Sequence, residues 1–138
     1  MSEMQHLTDF VLPVSLAAIS EDQGFRAGQM GKQILVYEEE AFPELEAVDL
    51  VLVGCGEQRG LGMGRPFCKG TDHIRNMLYR SFYWHTEIRI ADIGNIKPGA
   101  SLSDTYAALN LLIRELTDAG KRVLIIGGSH DLTLAQYH

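Results

Sequence analysis

The sequence predicts an open α/β domain with a parallel sheet, and three observations carry that prediction. Two runs of branched apolar residues, Val48-Asp49-Leu50-Val51-Leu52-Val53 and Val123-Leu124-Ile125-Ile126, read as strands covered on both faces. A third segment, Glu87-Ile88-Arg89-Ile90-Ala91-Asp92-Ile93, alternates polar and apolar residues as an edge or half-buried strand does. Amphipathic stretches separate the three, so the pattern is β-α-β-α-β, which implies parallel pairing through right-handed crossovers. The two apolar strands belong at the centre and the alternating one at the edge. Counted from residue 48, the strand order is therefore 2-1-3.

Residues 1–47 have weak periodicity and read as an irregular N-terminal arm, with a short strand at Gln33-Ile34-Leu35-Val36-Tyr37 and a solvated turn at Glu38-Glu39-Glu40. Residues 48–138 carry the α/β unit. Its first strand runs into a loop with glycines at 54, 56, 60, 62, 64 and 70. Thr71 is placed to cap the first helix, with Asp72 favourable in the opening turn. Ile74, Met77, Leu78 and Phe82 recur at helical spacing as the expected buried stripe, while Arg75, Asn76 and Arg80 fall on the expected outward face. Gly94 and Pro98-Gly99 break the second strand. Ser101 with Asp104 approximates a capping box, and Tyr106, Leu109, Leu112, Ile113 and Leu116 form the apolar stripe of the second helix. Gly120 suits the position just past that helix, and another helix is expected to open at Leu132.

Composition narrows the function classes. Apolar residues make up 46% and charged residues 22%, ordinary for a soluble globular chain. A net charge of −6 with twelve scattered basic residues argues against nucleic acid as a partner. The longest apolar stretch, residues 10–19, is broken by Pro13 and Ser15 and is too short to span a bilayer, so no membrane partner is expected. Cys55 and Cys68 lack CxxC spacing and zinc-finger partners, so both read as small reduced residues and the expected location is cytoplasmic. The third strand lacks an outer neighbour, and an exposed apolar edge favours pairing with another chain. The chain is therefore expected to be the front part of a longer protein, and a homo-oligomer is expected.

In a 2-1-3 sheet the order reverses between the first and third strands, and a crevice is expected there, between the glycine-rich loop 54–64 and Gly128-Ser129-His130. His130 is the leading candidate residue, as a metal ligand or acid/base group at a strand end. The competing reading is a histidine that satisfies a loop hydrogen bond. Gly127-Gly128 lets the backbone bend and come close to a ligand, and Asp131 suits a helix cap or a carboxylate behind or directed at a metal. Ser129-His130-Asp131 is not a catalytic triad, because consecutive residues point in different directions and the elbow motif requires glycine where Asp131 stands. No catalytic residue is assigned. The loop Gly54-Cys55-Gly56-Glu57-Gln58-Arg59-Gly60 has GxGxxxG spacing and no helix opening at once, a poor match to a dinucleotide loop. Asp92 ends a strand but lies far later than a ribose-binding acid would. The aromatic cluster Tyr79, Phe82, Tyr83 and Trp84 is expected to serve helix-to-sheet packing, since no basic stripe accompanies it.

Five pieces occur in order: Val53-Gly54; Glu57-x-Arg59-Gly60; Gly70-x-x-x-Ile74-Arg75-x-x-Leu78-Tyr79; Asp92-Ile93-Gly94-Asn95-Ile96; and Ile126-Gly127-Gly128-Ser129-His130-Asp131. The set resembles the front of a ureohydrolase, the arginase, agmatinase and formimidoylglutamase family, from about residue 48 onward. The last piece, continuing Leu132-Thr133-x-Ala135-Gln136-Tyr137, is most similar to the formimidoylglutamase-like branch. The resemblance implies a three-layer α/β/α fold and two Mn²⁺ ions that activate a bridging hydroxide against a guanidino or formimino carbon. It implies a small guanidino or formimino amino acid as substrate and His130 as a metal ligand. This sequence exchanges Ser and Asp around that histidine relative to the family's Gly-Gly-Asp-His-Ser. The family's later Asp-Ala-His-x-Asp and Ser-x-Asp-x-Asp motifs do not occur in these 138 residues, so the chain alone is expected to be inactive and to bind Mn²⁺ weakly or not at all. Two other classes remain open: a non-catalytic α/β binding or assembly module, and a nucleotide-binding half-domain built on the glycine loop.

Overall fold

A computed structural model of the chain describes residues 5–19, 24–57, 70–85 and 87–127. A 3-10 turn at Gln5–Asp9 leads to β1 (Val11–Leu12), two short helices, α1 (Leu16–Ile19) and α2 (Met30–Gln33), and β2 (Leu35–Val36). The larger elements are β3 (Leu50–Gly54), α3 (Gly70–Arg80), β4 (Ile90–Ile96), α4 (Leu102–Asp118) and β5 (Arg122–Ile126).

The sheet runs β1-β4-β3-β5, with β2 also pairing to β4. Its centre, β4-β3-β5, is parallel throughout and is the expected 2-1-3 order. The flank differs from the expectation. β4 is not an edge strand, because β1 pairs with it antiparallel at Asn95 and Ile96 while β2 pairs with it parallel at Ala91 and Asp92. The N-terminal segment therefore builds part of the sheet rather than trailing from it. Leu7 and Val11 lie in the same apolar cluster as the central strands. Two-residue strands laid along one strand's outer side are a standard means of closing an edge that would otherwise pair with another chain.

Side chains alternate across the sheet. Val51, Val53, Ala91 and Ile93 pack beneath α4, against Leu109, Leu112 and Leu116. Leu52 and Ile126 turn the other way, toward Tyr79 of α3 and Val14, Ile19 and Ile34. Helices thus cover both faces and the chain forms three layers, the α/β/α class expected. On the α4 side the reasons are local. Ser101 Oγ accepts from the Asp104 N–H at 3.2 Å, and the Asp104 carboxylate accepts from the Ser101 N–H at 3.1 Å, which completes the capping box. The helix stops in a Schellman motif: Lys121 N–H bonds Leu116 O at 3.0 Å, Gly120 N–H bonds Thr117 O at 2.9 Å, and Gly120 takes φ +81°. Lys121 then donates from Nζ to Val48 O at 2.9 Å, tying the start of β5 to the start of β3.

The α3 side departs from the expected stripe. Thr71, Arg75 and Tyr79 are its buried residues, while Ile74 is 46% exposed and Met77 75% exposed. Arg75 points inward, not outward. Thr71 lies inside the helix, which opens at Gly70, rather than at its cap. Phe82 and Trp84 are exposed, so of the aromatic cluster Tyr79 is the member that packs inside, edge-on to Phe25 with ring centroids 5.5 Å apart. Among the described residues no helix is long and apolar enough to cross a membrane.

Candidate functional site

The carboxyl ends of β3, β4 and β5 meet α3, and Arg75, Tyr79, Asp92 and Asn95 gather there. The arrangement begins with an irregularity in β4. Leu52 pairs with Asp92 and Gly54 with Asn95, so two steps along β3 match three along β4. The extra residue makes a β-bulge at Gly94, whose φ of +88° strongly favours glycine. A side chain at Gly94 would also meet the carbonyl oxygen of Leu12, its Cβ 1.9 Å away. The bulge puts both Asp92 and Asn95 on the α3 side of the sheet, where strict alternation would separate them.

Arg75 joins these groups. Its Nε donates to Asp92 Oδ2 at 2.7 Å and its Nη2 to Asp92 Oδ1 at 2.9 Å, a two-point pairing. Nη2 also donates to Gly94 O at 2.9 Å, and Nη1 to Asn95 Oδ1 at 2.6 Å. The Tyr79 hydroxyl donates to Asp92 Oδ2, and the Gly94 N–H donates to Asp92 Oδ1 at 3.0 Å. Arg75, Tyr79 and Asp92 are all fully buried. Burial alone would lower the Arg75 pKa, but the Asp92 charge and its hydrogen bonds outweigh burial and raise it. Burial and the neighbouring Asp92 charge together push the Tyr79 phenol well above its ordinary range, so it stays a donor.

This network explains a glycine read from sequence as part of a ligand loop. A Cβ on Gly54 would lie 1.9 Å from Asn95 Oδ1 and 2.9 Å from Arg75 Nη2. Gly54 is small because protein side chains fill the space above it. That removes one support from the nucleotide-loop reading. Asp92 is held by Arg75 and is not placed as a ribose acceptor.

On the other side of β3 the sheet closes toward the expected crevice. Cys55 N–H continues the pairing past the end of β3, bonding Ile126 O at 2.9 Å. Gly127 takes φ +82°, and a Cβ there would lie 2.9 Å from Thr71 Cγ2 and 3.3 Å from Cys55 O. The turn after β5 is thus pressed against both α3 and the β3 loop. The close approach expected at Gly127-Gly128 is to a ligand, whereas the one found at Gly127 is to protein atoms of Thr71 and Cys55. Gly128, Ser129, His130 and Asp131, and most of the glycine loop (58–69, including Arg59 and Cys68), lie outside the described residues.

Among the described residues, no group of three or more His, Cys, Asp or Glu side chains is placed to hold a metal ion. The oxygens of Asp92 are committed to Arg75, Tyr79 and Gly94, which makes this carboxylate a poor ligand. The Arg75–Asp92 network itself was missed by apolar periodicity. A signal for it was present in the sequence, because Arg75 and Tyr79 sit four residues apart on one helix face and Asp92 stands in an otherwise apolar strand.

An open α/β sheet with buried ends at a strand-order reversal defines a class rather than a protein, and comparison narrows it. No family model and no curated protein matches the chain. Among solved structures, an arginase superfamily protein from Trypanosoma cruzi is similar, with TM-score 0.56 and 19% identity over 69% of this chain and 38% of that one. The fold is arginase-like. This chain spans less than two-fifths of the length of the structure it matches.

Proposed function

We propose that the chain carries the front portion of an amidinohydrolase of the arginase type, acting on a C–N bond of a small guanidino or formimino amino acid. One observation supports the reading: pieces that resemble ureohydrolases in sequence lie on β3, α3 and β4 of a chain whose fold is arginase-like. Val53-Gly54 ends β3, Ile74-Arg75 and Leu78-Tyr79 lie on α3, and Asp92-Ile93-Gly94-Asn95-Ile96 forms the bulged half of β4. Gly127 ends the described chain at the carboxyl end of β5, the side of the sheet where open α/β folds keep ligands, and Gly128-Ser129-His130 follow it in the sequence.

The resemblance implies Mn²⁺ as cofactor, with His130 among its ligands. The ions, when bound, would lower the pKa of a bridging water and orient it. The formimidoylglutamase-like branch is favoured by the wording of the last motif alone. A homo-oligomer and a cytoplasmic location belong to the same proposal.

The test is metal content together with urea and formamide release from the polypeptide that carries the sequence downstream of residue 138. Expected are bound Mn²⁺, one of the two products, and loss of both on His130→Ala without loss of the folded state. A folded, metal-free, inactive polypeptide would overturn the proposal and leave the non-catalytic module standing.

A further inference from the structure

We propose that the side-chain amide of Asn95 is a ligand-binding group that donates to a carboxylate oxygen of a small molecule at the carboxyl ends of β3 and β4. The choice of an amino-acid carboxylate rests on the amidinohydrolase reading, while the donor rests on geometry alone.

The fold makes specific provision for this side chain. The Gly94 bulge turns Asn95 out of strand alternation, and Gly94 needs its positive φ to do so. Gly54 leaves room for Oδ1. The buried Arg75 donates from Nη1 to that oxygen at 2.6 Å, which fixes which end of the amide is which. With Oδ1 held by the guanidinium, Nδ2 faces away from it. Asn95 is half-buried rather than sealed in, and no described residue accepts a hydrogen bond from Nδ2. A structural asparagine buried beside a charged network normally satisfies both ends of its amide. Here one end is anchored and the other presents two donors.

Chemistry points to an anionic acceptor. A guanidinium bonded to the amide oxygen polarises the amide and strengthens Nδ2 as a donor. The Arg75 charge is matched by Asp92 in a two-point pairing, so the buried pair adds no net charge. Asp72, 3.8 Å from Arg75 Nη1, is 47% exposed and screened by water. The opening turn of α3, an eleven-residue helix, lies on the same side and favours negative charge.

The experiment titrates the full chain with L-arginine and with agmatine, which share a guanidinium and differ in the carboxylate, and with acetate alone. The Asn95 side-chain amide is followed by ¹H–¹⁵N NMR. Its resonances are expected to move with arginine and acetate and to stay in place with agmatine. Asn95→Asp keeps the acceptor for Arg75 and replaces both donors, so it should weaken arginine about tenfold while the amide spectrum stays dispersed. Asn95 signals that ignore all three ligands, that move equally with arginine and agmatine, or that move while Asn95→Asp binds arginine as tightly as before, overturn the proposal. A carboxylate-dependent shift in a protein whose extended form hydrolyses no amidine would keep Asn95 as a binding group and remove the hydrolase reading.

Discussion

The two faces of the sheet are built by different physics. Beneath α4 the contact is apolar, and Leu109, Leu112 and Leu116 pack on Val51, Val53 and Ile93. Each such side chain contributes about 1.5–3 kcal/mol through burial. Beneath α3 the centre of the contact is a salt bridge between two side chains of zero exposure. Removing both charges from water costs several kcal/mol, and the return depends on filling the hydrogen-bonding positions with good geometry. Here Asp92 receives four hydrogen bonds, and Arg75 reaches Asp92, Gly94 and Asn95. The apolar face supplies stability in proportion to area and tolerates repacking. The polar face prescribes one arrangement, and that arrangement sets the bulge and the ends of β3 and β4.

Substitutions sharpen the contrast. Arg75→Met should cost most, about 3–5 kcal/mol in urea denaturation, because it leaves Asp92 buried without its partner. Leu112→Ala should cost about 2–5 kcal/mol with no change elsewhere. A loss from Arg75→Met well below that from Leu112→Ala would show that the polar face matters less than its burial suggests.

Gly54→Ala follows at about 1–3 kcal/mol, because the new methyl group collides with the Asn95 amide. The same change combined with Asn95→Ala should recover most of that loss. A full loss in the double variant would mean that backbone conformation, not the Asn95 contact, demands glycine there.

Tyr79 offers a pH test of the polar face. Its folded pKa is raised above an unfolded value of about 10, so its contribution is complete below pH ~10 and declines as pH rises beyond that. Tyr79→Phe should be less stable near neutrality and should lose stability less steeply between about pH 10 and 11. Parallel alkaline profiles for the two proteins would count against a buried, protonated phenol.

At the small end, Met77→Glu on the outer side of α3 should change stability by no more than about 0.5 kcal/mol. A loss of 2 kcal/mol or more would restore the buried stripe that periodicity suggests.

The same contrast explains what the sequence made legible. The α4 face was legible because each signal there is local and of one kind: a capping box, an apolar stripe at helical spacing, a glycine past the end. The parallel β4-β3-β5 order followed from the strand and helix succession. The α3 face was not legible, because hydrophobic periodicity counts Ile74 and Met77 as core and Arg75 as surface, and a guanidinium paired across 17 residues with Asp92 reverses both. The alternation of residues 87–93 suggested an edge for the same reason, since a buried aspartate looks like a solvent-facing one. Gly54 was read as loop chemistry and Gly94 as a strand break, whereas β4 runs through Gly94 to Ile96 and both glycines serve side-chain and backbone packing within the sheet. β2, at Leu35–Val36, falls within the short strand expected at residues 33–37, while β1, Val11–Leu12, is too short for any periodic pattern to show. Of the candidate site, Gly127 is described and packs against Thr71 and Cys55, while His130 stays a proposal.

The most direct measurement is a double-mutant cycle on the buried pair, with Arg75→Met, Asp92→Leu and the combination compared by urea denaturation. If the pair organises the α3 face, each single change costs about 3–5 kcal/mol and the double change costs far less than their sum, because no lone charge is left inside. Losses that simply add would show two independent side chains, and the polar face would no longer account for the geometry at the ends of β3 and β4.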